Sequence, residues 1–193
     1  EMTMNCNFMQ VVEFSHWLMK RFLPEKAAVI DATAGRGKDT LFLSRLLGND
    51  SRIWAFDIQQ KAVELTRKKL KEKGLVHSGI TVINDGHENI KDYVDRQIDG
   101  AIFNLGYLPG ENKDIITRPD TTLTAIRSCL SILKSKGLIV IVIYTGHPGG
   151  KDEKMEIINF SSALNCNQYN VLHYHFINQE KPPAEVVAIR KRG

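Results

Sequence analysis

Val29-Ile30-Asp31-Ala32-Thr33-Ala34-Gly35-Arg36-Gly37-Lys38-Asp39-Thr40 is the stretch from which the rest of the chain is read. An apolar run ends in an acid, a small glycine-rich turn follows, and Leu41, Phe42, Leu46 and Leu47 then recur at helical spacing. A strand, a tight turn and a helix start set a ligand against the free backbone N–H groups of a helix N-terminus. Gly35 and Gly37 let the backbone approach a ligand where a Cβ would stand in the way. The next apolar run, Ile53-Trp54-Ala55-Phe56-Asp57, again ends in an acid, 26 residues after Asp31. A carboxylate at the tip of the second strand of such a unit suits the two vicinal hydroxyls of a ribose. The first half therefore reads as a nucleoside-cofactor site.

The turn lacks the third glycine of the dinucleotide fingerprint. It is no P-loop either, because Lys38 is followed by Asp39 and Ala32 stands where the first glycine belongs. Asp31 and Asp39 flank the turn and would repel a pyrophosphate. They suit a cofactor with a cationic amino acid end, such as S-adenosylmethionine. A methyltransferase is thus preferred to a nucleotide-phosphate binder, and both to a glycine turn without a ligand.

The 193 residues are expected to form a single domain, 1–193, large enough to bury a proper core. Hydrophobic and charged fractions of 42% and 25% are those of an ordinary soluble protein. A net charge of +4 permits a nucleic-acid partner without demanding one. Cys6, Cys129 and Cys166 have no paired spacing, which argues against a disulfide framework and against a zinc site. No apolar stretch approaches the length of a membrane span and no signal peptide is visible, so a reducing cytoplasm is the expected location.

Along the chain, residues 8–22 place Phe8, Val11, Val12, Ser15, Leu18, Met19 and Phe22 at helical spacing until Pro24. This predicts an N-terminal helix packed on the sheet. His16 lies near its apolar face, where a packed, hydrogen-bonded histidine is preferred to a catalytic one. Gln60–Lys73 reads as a helix with a basic, solvated outer face, stopped by Gly74. Residues 80–83 read as a third strand ending at Asn84-Asp85-Gly86-His87. Two roles are open to Asp85: accepting from an adenine amine, or capping the helix that follows. Residues 98–103 read as the fourth strand, 117–136 as a helix, and Leu138–Tyr144 as an all-apolar fifth strand covered on both faces. A helix over 151–164 and two strands near 169–177 and 185–190 follow, joined by a Pro182-Pro183 turn as in an antiparallel hairpin. The order gives an α/β fold: a doubly wound, mostly parallel seven-stranded sheet with a C-terminal antiparallel hairpin. Ligand sites of such sheets lie beyond the carboxyl ends of the strands, where Asp31, Gly35, Asp57, Asp85, Asn104, Tyr107 and His147 all fall.

Asn104-Leu105-Gly106-Tyr107-Leu108-Pro109-Gly110, after the fourth strand, carries the second chemical signal. Methylating a nitrogen requires a neutral amine whose lone pair points in line at the methyl carbon. An amide oxygen and a backbone carbonyl can accept the two N–H hydrogens and so aim that lone pair. Asn104 with the carbonyl of Leu105 fits this task, and Tyr107 offers a face on which a flat substrate stacks. An ordinary turn, for which Asn, Gly and Pro are all suited, is the competing reading.

Residues 31–40, Phe56-Asp57-Ile58-Gln59, residues 104–110 and His147-Pro148-Gly149-Gly150 together closely resemble the MnmM (YtqB-like) family. Its members are class I S-adenosylmethionine-dependent methyltransferases with a Rossmann-like fold, formerly labelled rRNA methylases. The resemblance runs from about Phe8 to the last strand. It implies methyl transfer to the aminomethyl group of a modified wobble uridine (5-aminomethyl-2-thiouridine), with the tRNA anticodon loop as partner. Carried across by position, Asp31, Ala32, Thr33, Gly35, Gly37, Asp39 and Thr40 would hold the methionine end, and Asp57, Ile58 and Gln59 the ribose. Asp85, Gly86 and His87 would lie near adenine, and Asn104, Leu105 and Tyr107 would face the acceptor nitrogen. The motif is similar to the Asn/Asp-Pro-Pro-Tyr of amino methyltransferases, with Leu105-Gly106 in place of both prolines.

An alkylamine has a pKa around that of lysine, about 10.4, so it arrives protonated. His147 is the candidate acceptor of that proton, directly or through water; a structural turn histidine before Pro148 is the other reading. Arg36, Lys113, Arg118, Lys151, Lys154 and the Arg190-Lys191-Arg192 tail are candidate phosphate contacts. Tyr107, Tyr144 and His147 are candidates to grip an unstacked base. His173 and His175 share a strand face but lack a third ligand nearby in sequence, so neither a metal nor a membrane is expected as a partner; a homodimer is compatible with the sequence. Three other functions compete: rRNA base methylation, an NAD-linked oxidoreductase, against which the missing third glycine argues, and a non-catalytic RNA-binding module.

Overall fold

The computed structural model describes residues 8–77, 79–106, 116–179 and 184–193. Seven strands form one sheet: β1 (Ala28–Asp31), β2 (Arg52–Phe56), β3 (Ile80–Ile83), β4 (Ile98–Asn104), β5 (Leu133–Ile143), β6 (Tyr169–Tyr174) and β7 (Glu185–Lys191). Their order across the sheet is β3-β2-β1-β4-β5-β7-β6. The first five run parallel, and β7 lies antiparallel to both β5 and β6, as the hairpin reading expects. The Pro182-Pro183 turn lies outside the described residues.

Side chains alternate faces along a strand, so successive residues of β4 and β5 enter two different cores. Ala101, Phe103, Ile139, Ile141 and Ile143 face one core, shared with Ala125, Ile126 and Cys129 of α5 (Pro119–Ile132) and Ile157 of α6 (Gly150–Ser162). Ile102, Val140 and Val142 face the other, with Leu18 and Met19 of α1 (Val11–Phe22) and Leu43 of α2 (Lys38–Leu46). Further along this second face, Val63 and Leu70 of α3 (Gln60–Glu72) cover Ala55 and Val82. Coverage on both faces explains why β5 is apolar and buried throughout Leu138–Ile143. A 3-10 turn (His87–Asn89) leads into a single-turn helix, α4 (Ile90–Tyr93).

Several boundaries differ from the sequence reading, two of them informatively. The N-terminal helix starts at Val11, leaving Phe8 exposed. The fifth helix ends at Ile132 instead of Lys136, and residues 133–136 belong to β5. The apolar stripe suggests a helix through Leu133, but that residue is fully buried opposite Ile98, and Lys134 pairs with Asp99 at 2.9 Å. Lys136 then takes a left-handed φ of 62°, which breaks any continuing helix.

Chain order reverses between β1 and β4, the adjacent strands at the centre of the sheet. A crevice beyond the carboxyl ends of the strands opens at such a switch point, and the glycine turn lies on one side of it.

Candidate active site

The turn after β1 is built on two left-handed glycines, Gly35 at φ 52° and Gly37 at φ 75°. A Cβ on Gly37 would come within 2.9 Å of Thr66 Oγ1, so α3 packs against the turn only because that position is glycine. The backbone N–H groups of Ala32 and Ala34 donate to Ile102 and Phe56, which ties the turn to both neighbouring strands.

Asp31 is fully buried. Its Oδ2 accepts from Thr40 Oγ1 at 2.6 Å and its Oδ1 from the Thr33 N–H at 3.2 Å. Burial, and then the charge of Asp39, push its carboxyl up to about 8 against the pull of those hydrogen bonds. Asp57, at the tip of β2, accepts from the N–H groups of Gly35 at 2.8 Å and Gln59 at 2.9 Å. Burial raises its pKa even so. Buried carboxyl groups gather around a glycine turn, with no cationic side chain paired to Asp31 or Asp57 among the described residues. Such a set of acceptors could hold the cationic amino acid end of S-adenosylmethionine and would repel a pyrophosphate.

Asp85 stands at the end of β3. Its oxygens accept from Tyr93 Oη (2.8 Å), Asn89 Nδ2 (2.9 Å) and the Gly86 N–H (2.7 Å), and the first two bonds hold its carboxyl below the ordinary range. The carboxylate thus organises the turn that follows it; it makes no side-chain cap to either helical turn after β3, so the capping role read from sequence is not the one it takes. His87 is buried, and its Nδ1–H donates to the Ala32 carbonyl at 3.1 Å, fastening the β3 loop to the β1 turn. Burial lowers its pKa, and its Nε2 has no hydrogen-bond partner among the described residues. Ile58 is exposed on the outer lip and Gln59 is half-buried; Asn84 Nδ2 donates to the carbonyls of Asp57 and Ile58 at 3.0 Å.

Across the crevice, the backbone N–H of Asn104 donates to Thr33 Oγ1 at 2.7 Å. Its side-chain Nδ2 donates to Asp39 Oδ2 at 2.8 Å. Asp39 therefore bridges the cofactor turn and the acceptor motif. Its Oδ1 accepts from His16 Nε2 at 2.7 Å, so the N-terminal helix reaches the site. Leu105 is buried, and its N–H donates to the Val142 carbonyl at 2.8 Å. Gly106 adopts φ 137°, and a Cβ placed there would lie 3.7 Å from the His147 ring and 3.8 Å from Tyr144 Cβ. The structure thus brings Asn104, Gly106, Tyr144 and His147 together. Tyr144 is part-exposed, and burial followed by the charge of Asp39 raises its phenol pKa. His147 Nδ1–H donates to the Pro148 carbonyl at 3.0 Å. Tyr107 and Lys113 lie outside the described residues.

Several groups that shape the site carry no local sequence pattern. Glu153 of α6 is fully buried and accepts from Thr117 Oγ1 at 2.8 Å and Thr122 Oγ1 at 2.7 Å. The Thr117 N–H in turn donates to the Gly106 carbonyl and the Gly106 N–H to Thr117 Oγ1, both at 3.0 Å, which ties the end of β4 to the approach to α5. Glu153 could be found only as an acid on the inner face of an amphipathic helix.

The basic candidates separate by position. Arg36, Arg118 and Lys151 are exposed on the turn after β1 and at the starts of α5 and α6, on the crevice side. Lys154 is ion-paired with Glu185. The Arg190–Arg192 tail lies at the opposite edge, a correction that follows from β7 running antiparallel to β5: Arg190 pairs with Leu138 and stacks on Phe22, 4.0 Å from the ring centroid. His173 and His175 stack side by side at 4.4 Å, and β7 supplies the third group missing from the local sequence, Glu185, which accepts from His173 at 2.7 Å. The Lys154 and His173 pairings account for that cluster.

Residues 53–190 match the model of the family described as "Putative rRNA methylase". The chain is 34% identical over 95% of its length to the chloroplastic tRNA (mnm(5)s(2)U34)-methyltransferase of Arabidopsis thaliana, 70% of which it covers. Among solved structures, a protein of Clostridium thermocellum described as a "putative rRNA-methylase" superposes with a TM-score of 0.93 at 38% identity, covering 96% of this chain and 99% of that one. A methyltransferase of Streptococcus mutans solved with SAH superposes with a TM-score of 0.87, at the same identity and coverage. The chain belongs to this rRNA-methylase family and is an S-adenosylmethionine-dependent methyltransferase with a Rossmann-like class I fold.

Proposed function

We propose that the protein methylates the aminomethyl nitrogen of a modified wobble uridine, 5-aminomethyl-2-thiouridine, in the anticodon loop of tRNA. The observation that carries this reading is the fixed amide of Asn104. Asp39 accepts from its Nδ2, which leaves Oδ1 turned to the other side, where an amine N–H can donate. Together with the Leu105 carbonyl, that oxygen accepts two amine hydrogens and aims the lone pair. S-adenosylmethionine supplies an electrophilic methyl group: the N–C bond forms as the S–C bond breaks, and S-adenosylhomocysteine departs.

The residues of the turn (Asp31, Ala32, Thr33, Gly35, Gly37, Asp39 and Thr40) hold the methionine end. Asp57, Ile58 and Gln59 hold the ribose, and Asp85, Gly86 and His87 border the adenine. His147, beside Gly106, takes the proton that the alkylammonium must lose before attack. Tyr107, Tyr144 and His147 grip the extruded base, and Arg36, Lys113, Arg118 and Lys151 meet backbone phosphates. The wobble-uridine enzyme named among the relatives favours this substrate over an rRNA base.

The test is transfer of labelled methyl from S-adenosylmethionine to total RNA from cells lacking the protein, followed by nucleoside mass spectrometry. Label in a methylaminomethyl-uridine of the tRNA fraction is the expected result. Label confined to rRNA overturns the substrate, and no label with cofactor bound overturns the transfer reaction.

A further inference from the structure

A side-chain amide presents nearly the same shape after a half-turn, so an asparagine that must offer its oxygen needs something to break that symmetry. A carboxylate does so, because it only accepts. Asp39 Oδ2 takes the Asn104 Nδ2–H at 2.8 Å. Asp39 is itself only 4% exposed, in the first turn of α2, and its Oδ1 takes the Nε2–H of His16 at 2.7 Å. His16 sits mid-way along α1, with its ring flat against Phe42 of α2, centroids 3.8 Å apart and planes within 2°. The chain of contacts therefore joins α1, α2 and β4 through one carboxylate.

We propose that His16 is a positioning residue for methyl transfer: it holds Asp39 in the orientation that keeps the Asn104 oxygen facing the acceptor nitrogen. This rests on the reading of Asn104 given above. In this role His16 acts through Asp39, the acid that its ring nitrogen meets. A ring used for packing alone needs the Phe42 stack and nothing more. The hydrogen bond to a nearly buried carboxylate is the additional feature, and without it one oxygen of Asp39 loses its donor in a site where water is scarce.

His16→Phe keeps the stacked ring and removes the donor, whereas His16→Gln keeps a donor and removes the ring. His16→Phe is expected to lower kcat for RNA methylation about tenfold, with KM for RNA and Kd for S-adenosylmethionine within about twofold, and His16→Gln to recover most of that loss. A purely structural role ranks the two variants the other way round. Asp39→Asn, which lets the Asn104 amide turn over, is expected to lose at least as much as His16→Phe. Independently of any RNA, the Asn104 side-chain amide protons of the SAH-bound protein should exchange with solvent faster in His16→Phe than in wild type by NMR. Wild-type turnover in His16→Phe, or unchanged amide exchange, overturns the proposal. A wild-type protein that methylates no RNA overturns the substrate reading instead, and the exchange measurement still decides the role of His16.

Discussion

Asp31 and Glu185 are both buried carboxylates at the carboxyl edge of the same sheet, one at the end of β1 and the other opposite the last residue of β5. Burial opposes the ionisation of each. For Glu185, hydrogen bonds from Lys154 and His173 outweigh that penalty and hold the carboxyl below its ordinary range. For Asp31 the nearest charge is another acid, Asp39, and the carboxyl rises to about 8. One acid finds its hydrogen-bond donors within the fold and ionises readily; the other has no cation beside it among the described residues and keeps its proton beside a glycine turn. The first arrangement locks a hairpin to a helix, and the second is open to a cation from outside, as the proposed cofactor site requires. Charge compensation thus tells these two acids apart when burial does not.

Substitution should break the comparison in opposite directions. Asp31→Asn is expected to weaken S-adenosylmethionine binding on the order of 100-fold, about 2.7 kcal/mol. The melting temperature of the ligand-free protein should stay level near neutral pH and rise at higher pH, because a neutral amide replaces a buried carboxyl whose ionisation the fold opposes. Calorimetric titration and a thermal melt of one preparation read both effects. A fall in stability together with intact binding would make Asp31 a structural acid after all. Glu185→Gln should do the reverse: a loss of about 2 kcal/mol, roughly 6 °C in Tm, with cofactor affinity within about twofold. Lys154 and His173 would then face each other without the anion that joins them.

Both carboxylates stand in the sequence, but only the position of Asp31 at a strand end beside a glycine turn could be read there. Asp31 and Asp57 each end an apolar run, and a glycine turn follows the first, so strand period and turn chemistry place them at one sheet edge without any tertiary information. Asn104 is legible for the same reason. His16 lies 23 positions from Asp39 and reads as a packed helix histidine, which it also is; only the docking of α1 on α2 turns its ring nitrogen towards the site. Glu153 and Thr117 meet because α6 packs beside the start of α5, and Glu185 completes its cluster across a hairpin. The extra helical turn read at 133–136 fails on a similar ground. A leucine stripe fits a helix or a buried strand equally well, and pairing with Ile98 decides it.

Titration sharpens the same contrast. Asp31 in the folded, ligand-free protein holds its proton up to about pH 8, against an ordinary value of 3.8. The folded state therefore binds more protons than the unfolded one between those values. Its contribution to stability is complete below about pH 4 and is lost as pH rises towards 8. Glu185 behaves oppositely: its stabilisation is present above the ordinary value of 4.5 and is lost as pH falls through its lowered folded value. Binding a cation draws the proton off Asp31, so cofactor affinity should rise with pH up to about 8 and then level. The slope cannot exceed about tenfold per pH unit. Calorimetry from pH 6 to 9 checks this, and Asp31→Asn should flatten the rise. A wild-type profile as flat as that of the variant would mean that the cofactor does not meet the carboxylate.

The smallest effect expected concerns the proton of the acceptor amine. The turn acids attract a cation, and nothing in that arrangement favours releasing a proton from an alkylammonium. His147 is the titratable ring that the fold sets against Gly106, next to the acceptor motif. His147→Ala is expected to lower kcat about tenfold near neutral pH, with cofactor affinity unchanged. The deficit should shrink as pH rises towards the amine's own value, about 10.4, because more of the substrate then arrives neutral without help. A deficit constant across pH 6 to 9 would make His147 a part of the base-binding surface alone, and full turnover across that range would remove it from the reaction. Only a deficit that closes with pH identifies the ring as the acceptor, since neither packing nor RNA contact has reason to follow the protonation of the substrate.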